Sequence, residues 1–110
     1  MATHVRDQPE QQRYEIHEDG TLAGFLDYRR AQGRIRFTHT EVPEEFGGRG
    51  VARALVTAAL DDARSRGLQV LPVCPYVRKV IAEDPGTYLD LVPEQARSAF
   101  DLGDVRETGT

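Results

Sequence analysis

Alternating apolar and polar residues mark the first half of the chain as a series of strands. Residues 13–17 alternate and precede Asp19-Gly20, a strong hairpin-turn pair. Residues 21–29 hold a second apolar series, which ends before a turn at residues 32–33. Residues 34–42 follow as a third strand, so an antiparallel meander is expected. Simple alternation puts four residues of the third strand on one face: Ile35, Phe37, His39 and Glu41.

Helical spacing replaces the alternation in the second half of the chain. From about residue 49 to residue 66 the apolar residues form one stripe, and Gly67 is a natural helix stop. Residues 68–74 are a short apolar run, which indicates a buried strand. A strand, a helix and a strand in this order make a βαβ unit, normally right-handed with parallel strands. The sequence thus predicts an α/β (α+β) fold, in which an antiparallel meander is followed by a βαβ unit and a short C-terminal helix over residues 76–83.

One folded domain is expected, since a chain of 110 residues leaves little room for a second. Residues 1–12 are polar and unpatterned, which predicts a flexible N-terminal arm. The domain is expected to span residues 13–92, with residues 88–92 as a last short strand or an extended segment. Residues 93–110 are expected to form a partly disordered C-terminal extension.

Charge and composition argue against several classes of function. Fourteen basic side chains are scattered among eighteen acidic ones, and this net charge of −4 disfavours nucleic-acid binding. No apolar run approaches the roughly 20 residues of a membrane helix. The N-terminus lacks the apolar stretch of a secretory signal, so a cytoplasmic protein is expected. The single Cys74 and three histidines without metal-ligand spacing predict no metal site.

The glycine-rich turn at residues 47–50 lies between the third strand and the helix. Peptide N–H groups at a helix N-terminus are unpaired and partly positive, and glycines let an anion approach them closely. The turn therefore predicts a phosphate site, with Arg49 and Arg53 at its rim, although a tight turn without a ligand is the structural alternative. A dinucleotide fingerprint fails at Arg53, and the Gly-Lys pair of a P-loop is absent. The segment Gly48-Arg49-Gly50-Val51-Ala52 has the shorter form Gly-x-Gly-x-Ala.

Two further segments accompany this turn. One is Phe37-Thr38-His39-Thr40-Glu41-Val42-Pro43, and the other is Leu71-Pro72-Val73-Cys74-Pro75-Tyr76-Val77. Together with the glycine turn they resemble the small single-domain GNAT family of N-acetyltransferases over about residues 13–92. The resemblance implies that acetyl-CoA is the co-substrate and that the acceptor is an amine of a small molecule or a protein. One departure is Gly47, where GNAT proteins commonly carry Gln or Arg.

The resemblance also implies which residues bind coenzyme A. The amides from Gly48 to Arg53 would hold the pyrophosphate, and the end of the third strand would pair with the pantetheine arm. The predicted coenzyme A–binding residues are Thr40, Glu41, Val42, Gly47, Gly48, Arg49, Gly50, Val51, Ala52 and Arg53.

Pro72 and Cys74 end the second strand of the βαβ unit. Proline cannot donate to a sheet ladder, so Pro72 predicts either an edge or a slot where the two parallel strands part. A free cysteine is most often a small buried hydrophobe. Near such a slot, Cys74 is alternatively a residue that lines the acetyl site, or a nucleophile that takes the acetyl group first.

His39 and Tyr76 complete the set of catalytic candidates. His39 could remove the proton of an ammonium substrate, although packing is the usual role of such a residue. Its rivals as a base are Glu41, Glu44 and Glu45. The resemblance implies that a tyrosine protonates the departing thiolate, with Tyr76 and Tyr88 as candidates. The predicted function is acetyl-CoA-dependent N-acetyl transfer, and the alternative is a non-catalytic coenzyme A–binding or interaction module.

Overall fold

Five strands form one mixed sheet in the computed structural model, which describes residues 3–48 and 50–102. The strands are β1 (Thr3–Gln8), β2 (Arg13–Glu18), β3 (Thr21–Ala31), β4 (Arg34–Glu41) and β5 (Gln69–Pro72). The helices are α1 (Val51–Ser65), α2 (Pro75–Glu83) and α3 (Pro85–Tyr88). Short 3₁₀ helices lie at Glu44–Phe46, Leu89–Leu91, Glu94–Ala96 and Ser98–Phe100. No described helix is long and apolar enough to cross a membrane.

The order of the strands in the sheet is their order in the chain. β1 to β4 pair as an antiparallel meander, and β5 pairs in parallel with β4 through the α1 crossover. Both predicted hairpin turns have two successive residues with positive φ, at Asp19-Gly20 and at Gln32-Gly33. Such turns match the twist of the strands that they join. The predicted fold class, with its meander, βαβ unit and short following helix, is confirmed.

A single core lies between the sheet and the helices. The apolar stripe of α1 is fully buried there, and its side chains contact the inward residues of the meander. Those inward residues are Tyr14, Ile16, Leu26, Tyr28, Ile35 and Phe37. The apolar side chains of α2 join the same cluster. Since each buried aliphatic side chain contributes roughly 1.5–3 kcal/mol, this layer accounts for most of the stability of the fold.

The second face of the sheet carries mainly polar side chains. We call it the open face and define it by Arg13, Glu15, Phe25 and Asp27, which alternate with the inward residues of β2 and β3. Arg13 lies over the Phe25 ring, 4.7 Å from its centroid. Glu15 is buried even so, because Arg13, His17 and Gln8 surround its carboxylate. Burial alone would raise the pKa of Glu15, but hydrogen bonds from His17 and Arg13 hold that pKa below its ordinary value.

The prediction of a flexible arm over residues 1–12 is wrong for residues 3–8, which form β1. This strand pairs along its whole length with β2. Its polar sequence reflects its position at the edge of the sheet, where side chains need no apolar alternation. Asp7 anchors the strand, since its carboxylate accepts the hydroxyl hydrogen of Tyr28 at 2.5 Å.

The C-terminal segment also differs from the prediction. Residues 88–91 are helical, Val92 has an extended backbone, and none of them lies in a strand. Within the predicted disordered extension, residues 93–102 carry two 3₁₀ helices, and Leu102 is 1% exposed. Arg97 holds the segment by donating hydrogen bonds to the carbonyl oxygens of Val92 and Leu89. Residues 103–110 lie outside the described part of the chain.

Two tyrosine–aspartate hydrogen bonds stabilise the fold, one between the sheet and α1 and one between two strands of the sheet. Tyr14 on β2 donates to Asp62 on α1 at 2.5 Å, which joins the sheet to the helix. Tyr28 on β3 donates to Asp7 on β1, also at 2.5 Å. Burial, and next the hydrogen bond to the carboxylate, raise the pKa of both tyrosine hydroxyls. Each phenol therefore stays protonated in the folded state at a pH where an unfolded tyrosine ionises.

We predict that Tyr14→Phe removes part of the alkaline sensitivity of the fold. Below pH 10 the variant loses one hydrogen bond to a carboxylate, a cost of about 1–2 kcal/mol in the free energy of unfolding. Above the ordinary tyrosine pKa of about 10, the unfolded wild type releases a proton that the folded state retains, so wild-type stability falls as pH rises. Urea unfolding from pH 7 to pH 11 measures both effects, with Tyr76→Phe as the control. Parallel alkaline losses in wild type and Tyr14→Phe would contradict this assignment.

Candidate active site

The N-terminus of α1 presents free backbone donors. Gly50 caps the helix with φ of 76°, and no side chain caps it. The first helical hydrogen bond runs from the Ala54 N–H to the Gly50 carbonyl oxygen at 3.0 Å. The N–H groups of Val51, Ala52 and Arg53 precede that bond and have no partner among the described residues. They form a partly positive group of donors at the helix terminus.

A cavity of about 270 Å³ adjoins these donors. Its lining residues come from the end of β4, the glycine turn, the first turn of α1 and the start of α2: Val42, Phe46, Gly47, Gly48, Gly50, Val51, Ala52, Arg53 and Tyr76. No acidic residue lies in the first turn of α1. The cavity can therefore hold a compact anion at a helix N-terminus without like-charge repulsion from that turn. Arg53 forms an ion pair with Glu83 of α2, and Arg49 lies outside the described residues.

A slot opens beside this cavity because β4 and β5 part after Pro72. The last pair in their register joins Phe37 to Pro72, and the Cys74 N–H then donates to the Phe37 carbonyl oxygen at 2.8 Å. Beyond this point the chain turns into α2, whereas β4 continues to Glu41. The free edge of β4 over residues 38–41 consequently pairs with no strand in the described part of the chain. Backbone donors and acceptors on that edge can receive an extended, amide-bearing ligand.

Cys74 lies at the base of the slot. Its sulfur is 3.1 Å from the Thr40 hydroxyl oxygen, and the residue is 3% exposed. Its backbone carbonyl accepts from Arg78 in the first turn of α2. Among the described residues, the hydroxyl of Thr40 is the polar side-chain group that contacts the thiol. Within residues 3–48 and 50–102, no imidazole or carboxylate forms a hydrogen bond to this thiol, the contact by which a base would activate a nucleophile.

A β-bulge at Thr38 corrects the predicted face of His39 and Glu41. Asp27 pairs with His39 whereas Tyr28 pairs with Phe37, so Thr38 is an extra residue in β4. An extra residue shifts every later side chain to the other face of a strand. Ile35 and Phe37 therefore remain in the core, while His39 and Glu41 lie on the open face.

His39 and Glu41 form an exposed pair on that face. Nε2 of His39 lies 3.0 Å from a carboxylate oxygen of Glu41, and the side chains are 57% and 59% exposed. The His39 ring also contacts Phe25, with a centroid separation of 6.3 Å. His39 is therefore on the neighbouring strand, as expected, but on the face of β4 opposite to that of Thr40 and Cys74.

The structure brings together most of the predicted site residues. Around the cavity and slot lie Thr40, Val42, Gly47, Gly48, Gly50, Val51, Ala52, Arg53, Cys74 and Tyr76. Tyr88 is 8% exposed, lies at the end of α3 and does not line this cavity. Two contributors were missed, Phe46 in the cavity wall and Glu83 as the partner of Arg53. Phe46 could have been found as the single apolar residue of the polar link before the glycine turn, whereas Glu83 lies 30 residues from Arg53 and gives no local signal.

The chain is similar in sequence to vertebrate proteins named Protein NATD1. The Xenopus tropicalis protein is 43% identical over 51 residues, which cover 46% of this chain and 47% of that protein. The Homo sapiens protein is also 43% identical over 51 residues, covering 46% and 45% of the two chains. The aligned segment spans about half the length of the curated relatives it matches.

Two solved structures share the fold. The NMR structure of a GCN5-like protein from Staphylococcus aureus has a TM-score of 0.59 at 24% identity and covers 82% of this chain and 87% of that one. A ribosomal-protein-alanine N-acetyltransferase from Brucella melitensis biovar Abortus 2308 has a TM-score of 0.56 at 22% identity, covering 66% and 59%.

A family model described as GCN5-related N-acetyl-transferase matches residues 13–91. This range contains the bulged strand β4, the glycine turn, the slot and Cys74. The match confirms the resemblance drawn from the three sequence segments. The chain belongs to the family of GCN5-related N-acetyl-transferases.

Proposed function

We propose that this protein transfers an acetyl group from acetyl-CoA to an amine. The main support is that the free amides at the α1 N-terminus lie next to the slot between β4 and β5. The amides can bind an anion, and the slot can bind an extended chain. Coenzyme A joins both kinds of group, since a diphosphate is connected to an amide-bearing pantetheine arm.

The residues of the cavity fit the diphosphate. The amides of Val51, Ala52 and Arg53 point their partial positive charge into a space of about 270 Å³. Gly48 and Gly50 have φ of 78° and 76°, and a Cβ on either would meet no atom within 4 Å. The glycines are thus required by the backbone, and the space above them stays free for a ligand. We propose that phosphate competes with Glu83 for the guanidinium of Arg53.

The free edge of β4 would hold the pantetheine arm in the manner of an added strand. Residues 38–41 lie between the cavity and Cys74, so an arm on this edge would reach toward the base of the slot. A backbone N–H of this edge could donate to the thioester carbonyl oxygen. Acetyl-CoA supplies the activated carbonyl carbon and the departing thiolate.

The acceptor would enter from the open face, where His39 and Glu41 lie. The amine nitrogen forms a bond to the carbonyl carbon while the carbon–sulfur bond breaks, and the nitrogen gives up one proton. We propose that His39, oriented by Glu41 at 3.0 Å, accepts that proton, since an imidazole is the side chain that most often acts as a general base. Tyr76, which lies in the cavity wall, would return a proton to the thiolate.

Cys74 would line the slot and would not carry the acetyl group. Its thiol is buried and, although Cys74 caps the N-terminus of α2, the side-chain group that contacts it is a hydroxyl and not a base. Direct transfer to the amine therefore fits this site better than a covalent acetyl-cysteine. The cytoplasmic location and the amine partner, whether small molecule or protein, stay predictions from the sequence.

We predict that Gly50→Val weakens acetyl-CoA and coenzyme A binding by tenfold or more, about 1.4 kcal/mol. A β-branched residue resists positive φ, and its methyl groups would enter the cavity. Isothermal titration measures the effect. Gly33→Val is the matched control, because Gly33 has φ of 78° in a hairpin turn at the other end of the sheet. Equal affinities for the two variants, or no wild-type binding at millimolar ligand, would refute the coenzyme A site.

We predict that Cys74→Ala keeps turnover within about tenfold of wild type, because the thiol lacks an activating partner. Release of free thiol from acetyl-CoA, followed with a panel of amines, gives the rate. Mass spectrometry of wild type incubated with acetyl-CoA should show no acetyl group on Cys74. Complete loss of turnover in a folded Cys74→Ala protein, together with a covalent acetyl group in wild type, would establish the two-step route.

We predict that His39→Gln lowers kcat by about 10²-fold near neutral pH, the lower range for loss of a general base. The affinity for coenzyme A should not change, since the side chain lies on the open face. The matched control is His17→Gln, because His17 also lies 3.0 Å from a glutamate two residues away. Equal rates for the two variants would show that water or another group takes the proton.

A further inference from the structure

Three arginines cluster at the end of the open face farthest from the coenzyme A cavity. Arg29 of β3 and Arg34 and Arg36 of β4 line a second cavity, of about 250 Å³. Ala31, Gln32 and Leu71 complete its walls. All three arginine side chains are exposed. We call this group the arginine cluster.

The arginine cluster holds unbalanced positive charge. Arg29 and Arg36 are directly opposite each other in the register of β3 and β4. Like charges at such positions repel and destabilise a sheet. Arg29 donates to the Tyr28 carbonyl oxygen at 3.0 Å, and Arg34 donates to the Gln69 amide oxygen at 3.3 Å. None of the three pairs with a carboxylate among residues 3–48 and 50–102.

Most of the eight other arginines in the described chain pair with carboxylates. Five of them form ion pairs with Asp or Glu: Arg13, Arg53, Arg64, Arg66 and Arg78. The chain has eighteen acidic residues for fourteen basic ones. The positive charge of the arginine cluster is therefore a local feature that the surrounding acidic residues do not neutralise.

The arginine cluster is separate from the coenzyme A cavity. Arg34 begins β4 and Glu41 ends it, a separation of roughly 20 Å at the usual rise of a strand. The α1 N-terminus lies beyond the Glu41 end. One bound molecule of phosphate therefore cannot contact both places.

We propose that Arg29, Arg34 and Arg36 form a second anion site, whose ligand is a phosphate group carrying two negative charges. Guanidinium groups donate paired hydrogen bonds that match phosphate oxygens, and three of them can neutralise a dianion. Leu71 and Ala31 contribute apolar surface to the wall of this cavity. A nucleic-acid strand fits less well, because the net charge is −4 and the cluster covers a single compact patch.

The test compares stability in sodium phosphate and in sodium chloride at matched ionic strength. In chloride, Arg36→Gln should unfold at the same urea concentration as wild type or a higher one, because repulsion is relieved. Phosphate should stabilise wild type more than it stabilises Arg36→Gln. Arg30→Gln is the matched control, because it removes the same charge from the same hairpin. Strand alternation puts the Arg30 side chain on the other face of the sheet. Arg30→Gln should respond to phosphate as wild type does, and coenzyme A affinity should be equal in all three proteins.

Equal stabilisation of Arg36→Gln and Arg30→Gln by phosphate would overturn the proposal, and so would a wild type that responds no more to phosphate than to chloride. Two titration experiments with different ligands identify the source of the phosphate group. Titration with inorganic phosphate tests a free ligand, and titration with a phosphoserine peptide and its unphosphorylated form tests a protein partner. Binding in either titration that Arg36→Gln weakens about tenfold, as loss of a charge-assisted contact should, supports the site. If neither titration shows binding, the proposed anion site is refuted.

Discussion

The parting of β4 and β5 is the constraint on which the proposed site depends. Parallel strands pair as long as each can donate and accept, and Pro72 removes a donor at the last pair of the register. The Cys74 N–H makes one further bond, to the Phe37 carbonyl oxygen, and the chain then turns into α2. β4 extends beyond its partner for this reason. Its free edge, the buried Cys74 and the start of α2 all occupy the positions that this divergence creates.

A second irregularity, the bulge at Thr38, gives the end of β4 two different faces. Without the extra residue, His39 would point into the core with Phe37. With it, Thr40 contacts Cys74 on the helix side, while His39 and Glu41 reach the open face. A strand with one free edge and chemically distinct faces can separate two ligands by its own thickness. The proposed transfer uses this separation, with coenzyme A on the edge and an amine on the open face.

Much of this architecture could be predicted from the sequence, because the signals are local. The turns at Asp19-Gly20 and Gln32-Gly33, the apolar stripe of α1 and the missing donor of Pro72 each act within a few residues. β1 was missed because an edge strand without apolar alternation resembles a loop. The predicted face of His39 was wrong because a bulge depends on how two strands pair. The alternation of residues along one strand carries no information about that pairing. The Arg53–Glu83 pair was missed for the same reason, since tertiary packing alone brings these residues together.

The distribution of charge on the open face follows from that geometry. Glu15, Asp27 and Glu41 are acidic positions between the middle and the Glu41 end of the sheet, whereas the arginine cluster lies at the other end. A cationic amine is therefore attracted to the end where His39 lies, and an anion to the opposite end. A molecule that carries both groups about 20 Å apart would be oriented along β4 before any specific contact forms. If the proposed acceptor binds on the open face, this polarity would orient it in one direction along β4.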